Sequence, residues 1–244
     1  MKKYLALFCC LAVVSAFTAC EDSGSASLDA SSLAEFATIA VSMGNATCGS
    51  SSQASGVSAA SIGTQAAGSY SLEDSCWISY SSTNVQGTYE IKFRFLDDSD
   101  AAITGASILE VYVLASTSAK KLNLVQSVET PEGSFAGDLY FTFDTVGQPD
   151  LGGSLSGTLT GSETATGADF AATYTNVRGD DEGMTSGTIT LTATAAGQTW
   201  TISLTVDDGV CTGSITGPGY TATITVNHDG TGTYTDESGE HIIA

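Results

Sequence analysis

Positive charge is scarce in this chain: 7 Lys and Arg stand against 27 Asp and Glu, for a formal net charge of −20. Such a chain repels phosphate backbones and anionic headgroups, which excludes nucleic acid as a partner. Histidine is scarcer still, with only His228 and His241. Acyl transfer from Ser or Cys ordinarily needs a His base, and zinc needs Cys and His at set spacings; neither pattern is present. A Gly-x-Ser-x-Gly elbow and a phosphate-cradling glycine motif are also missing. Beyond Phe17 no apolar run approaches the roughly 20 residues needed for a membrane-crossing helix.

What is present begins with a leader. Met1, Lys2 and Lys3 precede an uncharged apolar run over residues 4–17, the n-region and h-region of a signal peptide. Its end, Phe17-Thr18-Ala19-Cys20, resembles the lipobox of bacterial lipoproteins. That resemblance implies removal of residues 1–19 and acylation of Cys20, palmitate included, leaving the chain on a membrane in the cell envelope and facing the periplasm or the exterior. Several acyl chains on one residue hold almost permanently, at about 0.8 kcal/mol per buried methylene. Without lipid the same leader is an ordinary secretory signal. Residues 20–31 are then the lipidated cysteine and a short polar tether, and loss of Lys2 and Lys3 deepens the formal charge from −20 to −22.

Of 6 cysteines, Cys9 and Cys10 lie in the leader and Cys20 is the anchor, so Cys48, Cys76 and Cys211 remain. An odd number in an oxidising compartment predicts one disulfide and one leftover thiol. Cys48 with Cys76 is the expected pair, being near in sequence, and closing that loop is worth about 3 kcal/mol. Pairings that use Cys211 stay open, as does a buried Cys211 thiol on a strand face shared with Ile215.

Residues 32–244 read as a single β-rich domain, with a split near Pro131 into two β-domains as the alternative. The fold class is all-β, a mainly antiparallel meander closing as a barrel or sandwich, with one short N-terminal helix. The helix is expected from a capping box of Ser32 and Glu35, an apolar stripe of Leu33, Phe36, Ala37 and Ala40, and Gly44 as its C-terminal cap. Residues 49–69 carry no clear pattern and read as a long loop or an irregular helix. Strands are predicted over 89–96, 108–115, 122–128 and 139–143, with turns at 97–100, 131–133 and 147–150.

The pattern is clearest from Ser154 onward. Segments 154–160, 169–177, 185–194, 199–206, 210–216, 220–227 and 231–235 alternate apolar residues with Thr or Ser between Gly and Asp turns. Trp200, Ile202, Leu204 and Val206 form one such set, and Tyr220, Ala222, Ile224 and Val226 another, each sending one face to a core. Trp77 and Trp200 are expected in that core. The alternation would also suit a transmembrane barrel, but the aromatic girdles of such barrels are missing, which favours a soluble body.

Chemistry-bearing motifs are weak. Asp97-Asp98-Ser99-Asp100, Asp180-Asp181-Glu182 and Asp207-Asp208 put carboxylates on turns, where calcium prefers them. Asn227, Asp229 and Asp236 lie in a stretch that looks like an EF-hand-type loop, although Thr225 stands at its first position and strands flank it; a hairpin turn is the favoured reading. No other cofactor is indicated. Arg178-Gly179-Asp180 resembles the adhesion tripeptide that integrins recognise, and is equally a turn. Both histidines read as solvated turn and tail residues.

The sequence therefore points to a lipid-anchored, non-catalytic envelope or surface protein, a binding or adhesion module for an unnamed protein or glycan, of open oligomeric state. A passive structural component is the alternative, and an enzyme acting on envelope polymers through paired carboxylates is a third. An aromatic-lined cleft favours the binding module; a smooth Thr-covered surface favours the passive one.

Overall fold

The computed structural model describes residues 28–56, 70–84, 87–164, 166–180 and 182–243. The leader, Cys20 and most of the tether lie outside the described residues, as does the stretch 57–69.

A first helix, α1, spans Ala30–Gly56. Three strands follow, β1 (Ser71–Glu73), β2 (Trp77–Asn84) and β3 (Gly87–Leu96), then a second helix, α2 (Ile108–Ser118). Ten more strands follow among the described residues: β4 (Lys121–Thr130), β5 (Gly133–Thr145), β6 (Gln148–Glu163), β7 (Ala168–Gly179), β8 (Met184–Ala195), β9 (Gln198–Asp207), β10 (Val210–Gly217), β11 (Tyr220–Val226), β12 (Gly232–Asp236) and β13 (Gly239–Ile243). All 13 strands form one antiparallel sheet in sequence order. Pairing runs unbroken through the turn that carries Pro131, from Thr130 opposite Gly133 onward.

The expected meander is present, but β1 and β13 do not pair, so the sheet is not closed as a barrel. Its apolar face is instead filled by α1. The helix touches β5 through β8, then β10, β11 and β13, and Gln126 on β4 reaches Met43 Sδ at 3.7 Å. Laid flat, β4 to β13 would span roughly 40 Å, about four times the width of a helix, so the sheet must curl around α1. Inward go Phe141, Leu159, Leu191, Ile202 and Ile224, all buried; outward go the Thr and Ser between them. This polarity is the reverse of a lipid-facing barrel, whose apolar side chains point out.

Helix α1 is longer than the sequence suggested at both ends. Its cap is Asp29 and not Ser32: Asp29 Oδ1 accepts from Ser32 N at 2.9 Å and from Ser32 Oγ at 3.0 Å. The stripe continues past Ala40, with Val41, Met43 and Cys48 also buried. Gly44 does not end the helix. A Cβ there would collide with Met184 Sδ and lie 2.9 Å from Tyr174 Cε1, so this glycine serves close approach of helix and sheet. Around it, Phe36 stacks on Phe170 with centroids 4.6 Å apart, and the Tyr174 hydroxyl donates to Ala40 O at 2.5 Å.

The segment expected as a strand over 108–115 is helix α2. Ser107 Oγ accepts from Glu110 N at 3.2 Å, and Glu110 Oε2 accepts from Ala106 N at 2.8 Å, a capping-box arrangement. Val111 and Ala115, four apart, are the buried pair. A continuous apolar run hides its period, and the Ser-x-x-Glu signal was the discriminating one. The predicted turn at 147–150 is confined to its start, because Gln148 already opens β6. Strands β1, β2 and β13 carried no strand expectation.

Asn45 ties α1 to two distant parts of the sheet. Its Oδ1 accepts from Met184 N at 2.9 Å and its Nδ2 donates to His228 O at 3.3 Å. Replacing it by Leu orphans a buried N–H, which costs about 1–3 kcal/mol. Gly44→Leu is expected to cost a similar about 1–3 kcal/mol by overpacking, although it improves helix propensity. Urea unfolding of the two variants checks both, and an unchanged midpoint for Gly44→Leu would contradict the close approach.

Candidate functional site: an aromatic cleft at the head of the first helix

Strand directions give the curled sheet two ends. Asn45, Cys48 and the β7–β8, β9–β10 and β11–β12 turns lie at one; the start of α1 and the β8–β9, β10–β11 and β12–β13 turns lie at the other. At this second end the sheet stands away from the first turn of α1 and leaves a cleft of about 440 Å³. Its helix wall is Leu28, Asp29, Ala30, Ser31 and Leu33, and its sheet wall is Gln198, Trp200, Pro218, Tyr220, Tyr234 and Asp236.

Three rings define this wall. Trp200 is buried as expected, with 6% of its surface exposed, and its indole packs closely against Gly217, where a Cβ would collide with Cδ1. Tyr220 and Tyr234 are half-buried. Tyr234 stacks on His241 with centroids 4.6 Å apart and an interplanar angle of 13°. Burial pushes the Tyr220 phenol up to about 12, helped by the negative charge of Asp236, and burial raises that of Tyr234, with Asp29 and Asp236 contributing. Both phenols therefore stay neutral near physiological pH.

Asp236 is the best-held carboxylate in the cleft. Oδ1 accepts from Ser238 N at 2.8 Å, from Ser238 Oγ at 2.6 Å and contacts His241 Nε2 at 3.2 Å; Oδ2 accepts from Tyr220 OH at 3.4 Å. The Ser238 bonds above all hold its carboxyl near 2, well below the usual 3.8. Ser238, His241 and Asp236 are the residue types of a hydrolytic triad, but they are not wired as one. Ser238 Oγ and Asp236 Oδ1 both meet the same nitrogen, His241 Nε2, whereas a relay needs one partner on each ring nitrogen. The group caps the β12–β13 turn.

The expected calcium residues are not brought together. Asn227 and Asp229 sit at the β11–β12 turn, where Asp229 Oδ1 accepts from Thr231 N at 3.0 Å and Thr231 Oγ1 at 2.6 Å, and Asn227 Nδ2 donates to Thr231 Oγ1 at 3.1 Å. Asp236 ends β12, seven residues beyond Asp229, and the four strand steps from Gly232 alone span roughly 13 Å. In two of the other acidic turns a carboxylate is used locally: Asp97 Oδ1 accepts from Ser99 N and Ala101 N, and Asp180 Oδ1 from Glu182 N. Among the described residues no three His, Cys, Asp or Glu side chains converge as a metal group.

Cys48, Cys76 and Cys211 are each a buried thiol, and the expected Cys48–Cys76 disulfide is not formed. Cys48 lies on α1 against Gly179, and burial, then the charge of Asp180, pushes its thiol up to about 12. Burial raises Cys211 to about 11. Gly179 being buried under α1, and Arg178 being paired with Asp144, the Arg178-Gly179-Asp180 tripeptide closes a strand end and is not a loop tip. His228 is exposed on its turn, as expected; His241 is half-buried in β13.

No known protein family, no curated protein and no solved structure matches the chain.

The cleft was not foreseen. Its residues come from the head of α1, the β10–β11 turn and the three strands β9, β11 and β12, and the signals for it were local ones, Tyr234 and Asp236 on a short strand whose partner β13 was not anticipated. Asp236 makes the turn pH-sensitive with a definite sign. Its pKa is depressed on folding, so the stabilisation is complete above the unfolded value of 3.8 and is lost as pH falls toward about 2. Ser238→Ala should melt below wild type at pH 5, and the gap should close as pH is lowered to 2; a gap constant across that range would count against the assignment.

Proposed function

We propose that this chain is a bacterial envelope lipoprotein, held on a membrane through lipid on Cys20, and that its body is a non-catalytic binding module whose ligand occupies the aromatic cleft. The observation that carries the reading is the cleft itself: Trp200, Tyr220 and Tyr234 converge on one concavity together with Gln198, Asp29 and Asp236. Concave, ring-lined sites with a few placed polar groups are how proteins hold small ligands or protruding groups of larger ones. Trp200 is fixed by Gly217 behind it and Tyr234 by His241, so two of the rings are positioned in advance. The wiring of Ser238, His241 and Asp236 as a turn cap supports binding over turnover.

A second reading has its own observation. Across the outer face, Thr158, Thr173, Thr190, Ser203, Ser214, Thr223 and Thr235 stand in register on neighbouring strands, one hydroxyl per strand. A surface so uniform suits a passive coat that needs no pocket. A body that lies within the envelope and presents only this face would make the chain structural.

Address and role separate experimentally. Wild-type protein should incorporate labelled palmitate and Cys20→Ser should not; labelling of both would remove the anchor from the reading. Protease shaving of intact cells, with a periplasmic protein as control, then tells on which side the body stands. Gly217→Val should drive Trp200 into the cleft and weaken capture of envelope or host ligands while leaving the fold cooperative; equal capture by wild type and variant would favour the passive component.

A further inference from the structure

The chemistry of the cleft names a ligand class, an inference that rests on the cleft being a binding site. Both charged side chains in its lining, Asp29 and Asp236, are carboxylates, and no Lys or Arg accompanies them. They act on the rings between them. Asp29 and Asp236 both bear electrostatically on Tyr220 and on Tyr234. In geometry, Asp236 Oδ2 accepts from the Tyr220 hydroxyl at 3.4 Å, and Asp29 lines the same cleft as the three rings.

We propose that the cleft is a receptor for an alkylammonium group, with Trp200, Tyr220 and Tyr234 supplying ring faces and Asp29 and Asp236 supplying countercharge. A cation over an aromatic face is attracted by the ring quadrupole, and the attraction grows when water is excluded and a carboxylate is near. An anion meets two carboxylates here and is repelled. The first turn of α1 offers it no compensation, because Asp29 already caps the Ser32 N–H. Among the described residues that line or touch the cleft wall, His241 is the one that can carry positive charge, and it lies against Tyr234 with its Nε2 engaged by Ser238 and Asp236. The net charge of −20 adds a long-range field that draws cations to the molecule. A lysine side chain of another protein and a quaternary headgroup share this chemistry.

The test uses the full chain carrying Trp77→Phe, which leaves Trp200 as the sole tryptophan. Its fluorescence is titrated at constant ionic strength with choline, with Nα-acetyl-lysine amide, with 3,3-dimethylbutan-1-ol as the neutral isostere of choline, and with neutral chito-oligosaccharides. Choline or the lysine amide should bind about ten-fold tighter than the neutral alcohol; which of the two is preferred separates a headgroup source from a protein source. Asp29→Asn removes the charge but keeps an equally good helix cap, so a comparable loss in that variant, with unfolding unchanged, assigns the effect to charge. Tyr220→Leu should weaken every ligand that enters. Equal affinity for choline and its neutral isostere, or an unaltered affinity in Asp29→Asn, overturns the inference. Binding of the oligosaccharide alone, lost in Tyr220→Leu, overturns it while leaving the cleft a binding site; silence toward all four probes overturns it too, and the role of the cleft then rests on the Gly217→Val capture experiment.

Discussion

Burial of the α1 stripe against the curled sheet is the contact from which the rest of this structure follows. The strands are rich in Thr, Ser and Gly, and their inner side chains are often small, as with Ala172, Ala193 and Ala222. One face of such a sheet cannot bury itself, and a thirteen-strand antiparallel ribbon left open would be exposed along that face. The helix supplies the missing partner. Phe36 on Phe170, Tyr174 on Ala40 and Met184 on Gly44 lie along one line of contact, and Asn45 fixes its far end. With the helix in place the sheet does not need to close, which is why β1 and β13 remain its edges.

The cleft is a by-product of the same arrangement. Inside the curled sheet the helix fits closely between Leu33 and Cys48, but its first turn lies near the short strands β11 to β13 and leaves a gap to them. The gap is lined by whatever the inner face carries there, and at this end that is Trp200, Tyr220 and Tyr234 in place of Leu and Ile. Packing and recognition thus use the same face of the same strands.

The sequence made the strands legible wherever alternation was strict. From β7 to β12 the expected segments match to within two residues at each end, because apolar and hydroxyl residues alternate with Gly and Asp turns, whereas β6 begins six residues before the expected Ser154. It failed where a local signal competed with a distant one. Gly44 resembles a helix stop in isolation and is a packing site only because Met184, far along the chain, lies on it. The run from Ile108 to Ala115 satisfies strand and helix alike until Ser107 and Glu110 are read together. That the sheet does not close as a barrel was illegible for a related reason: an apolar face demands cover, but nothing in strand patterning says that a helix will provide it. The cleft lay further out of reach, since its walls are separated by about 170–200 residues of chain and meet only through the curl.

The strand order has a consequence for how the molecule is completed. Each strand pairs with its neighbour in sequence, so hairpins can add one at a time with little loop entropy to overcome. Asn45 breaks that locality, because one of its bonds reaches His228 across 183 residues. Until the β11–β12 turn exists, the helix has its strands but lacks this tie. The amide of Asn45 thereby registers that the chain has been finished, and a body cut short before His228 would keep most of its ladder while its helix remained unlatched.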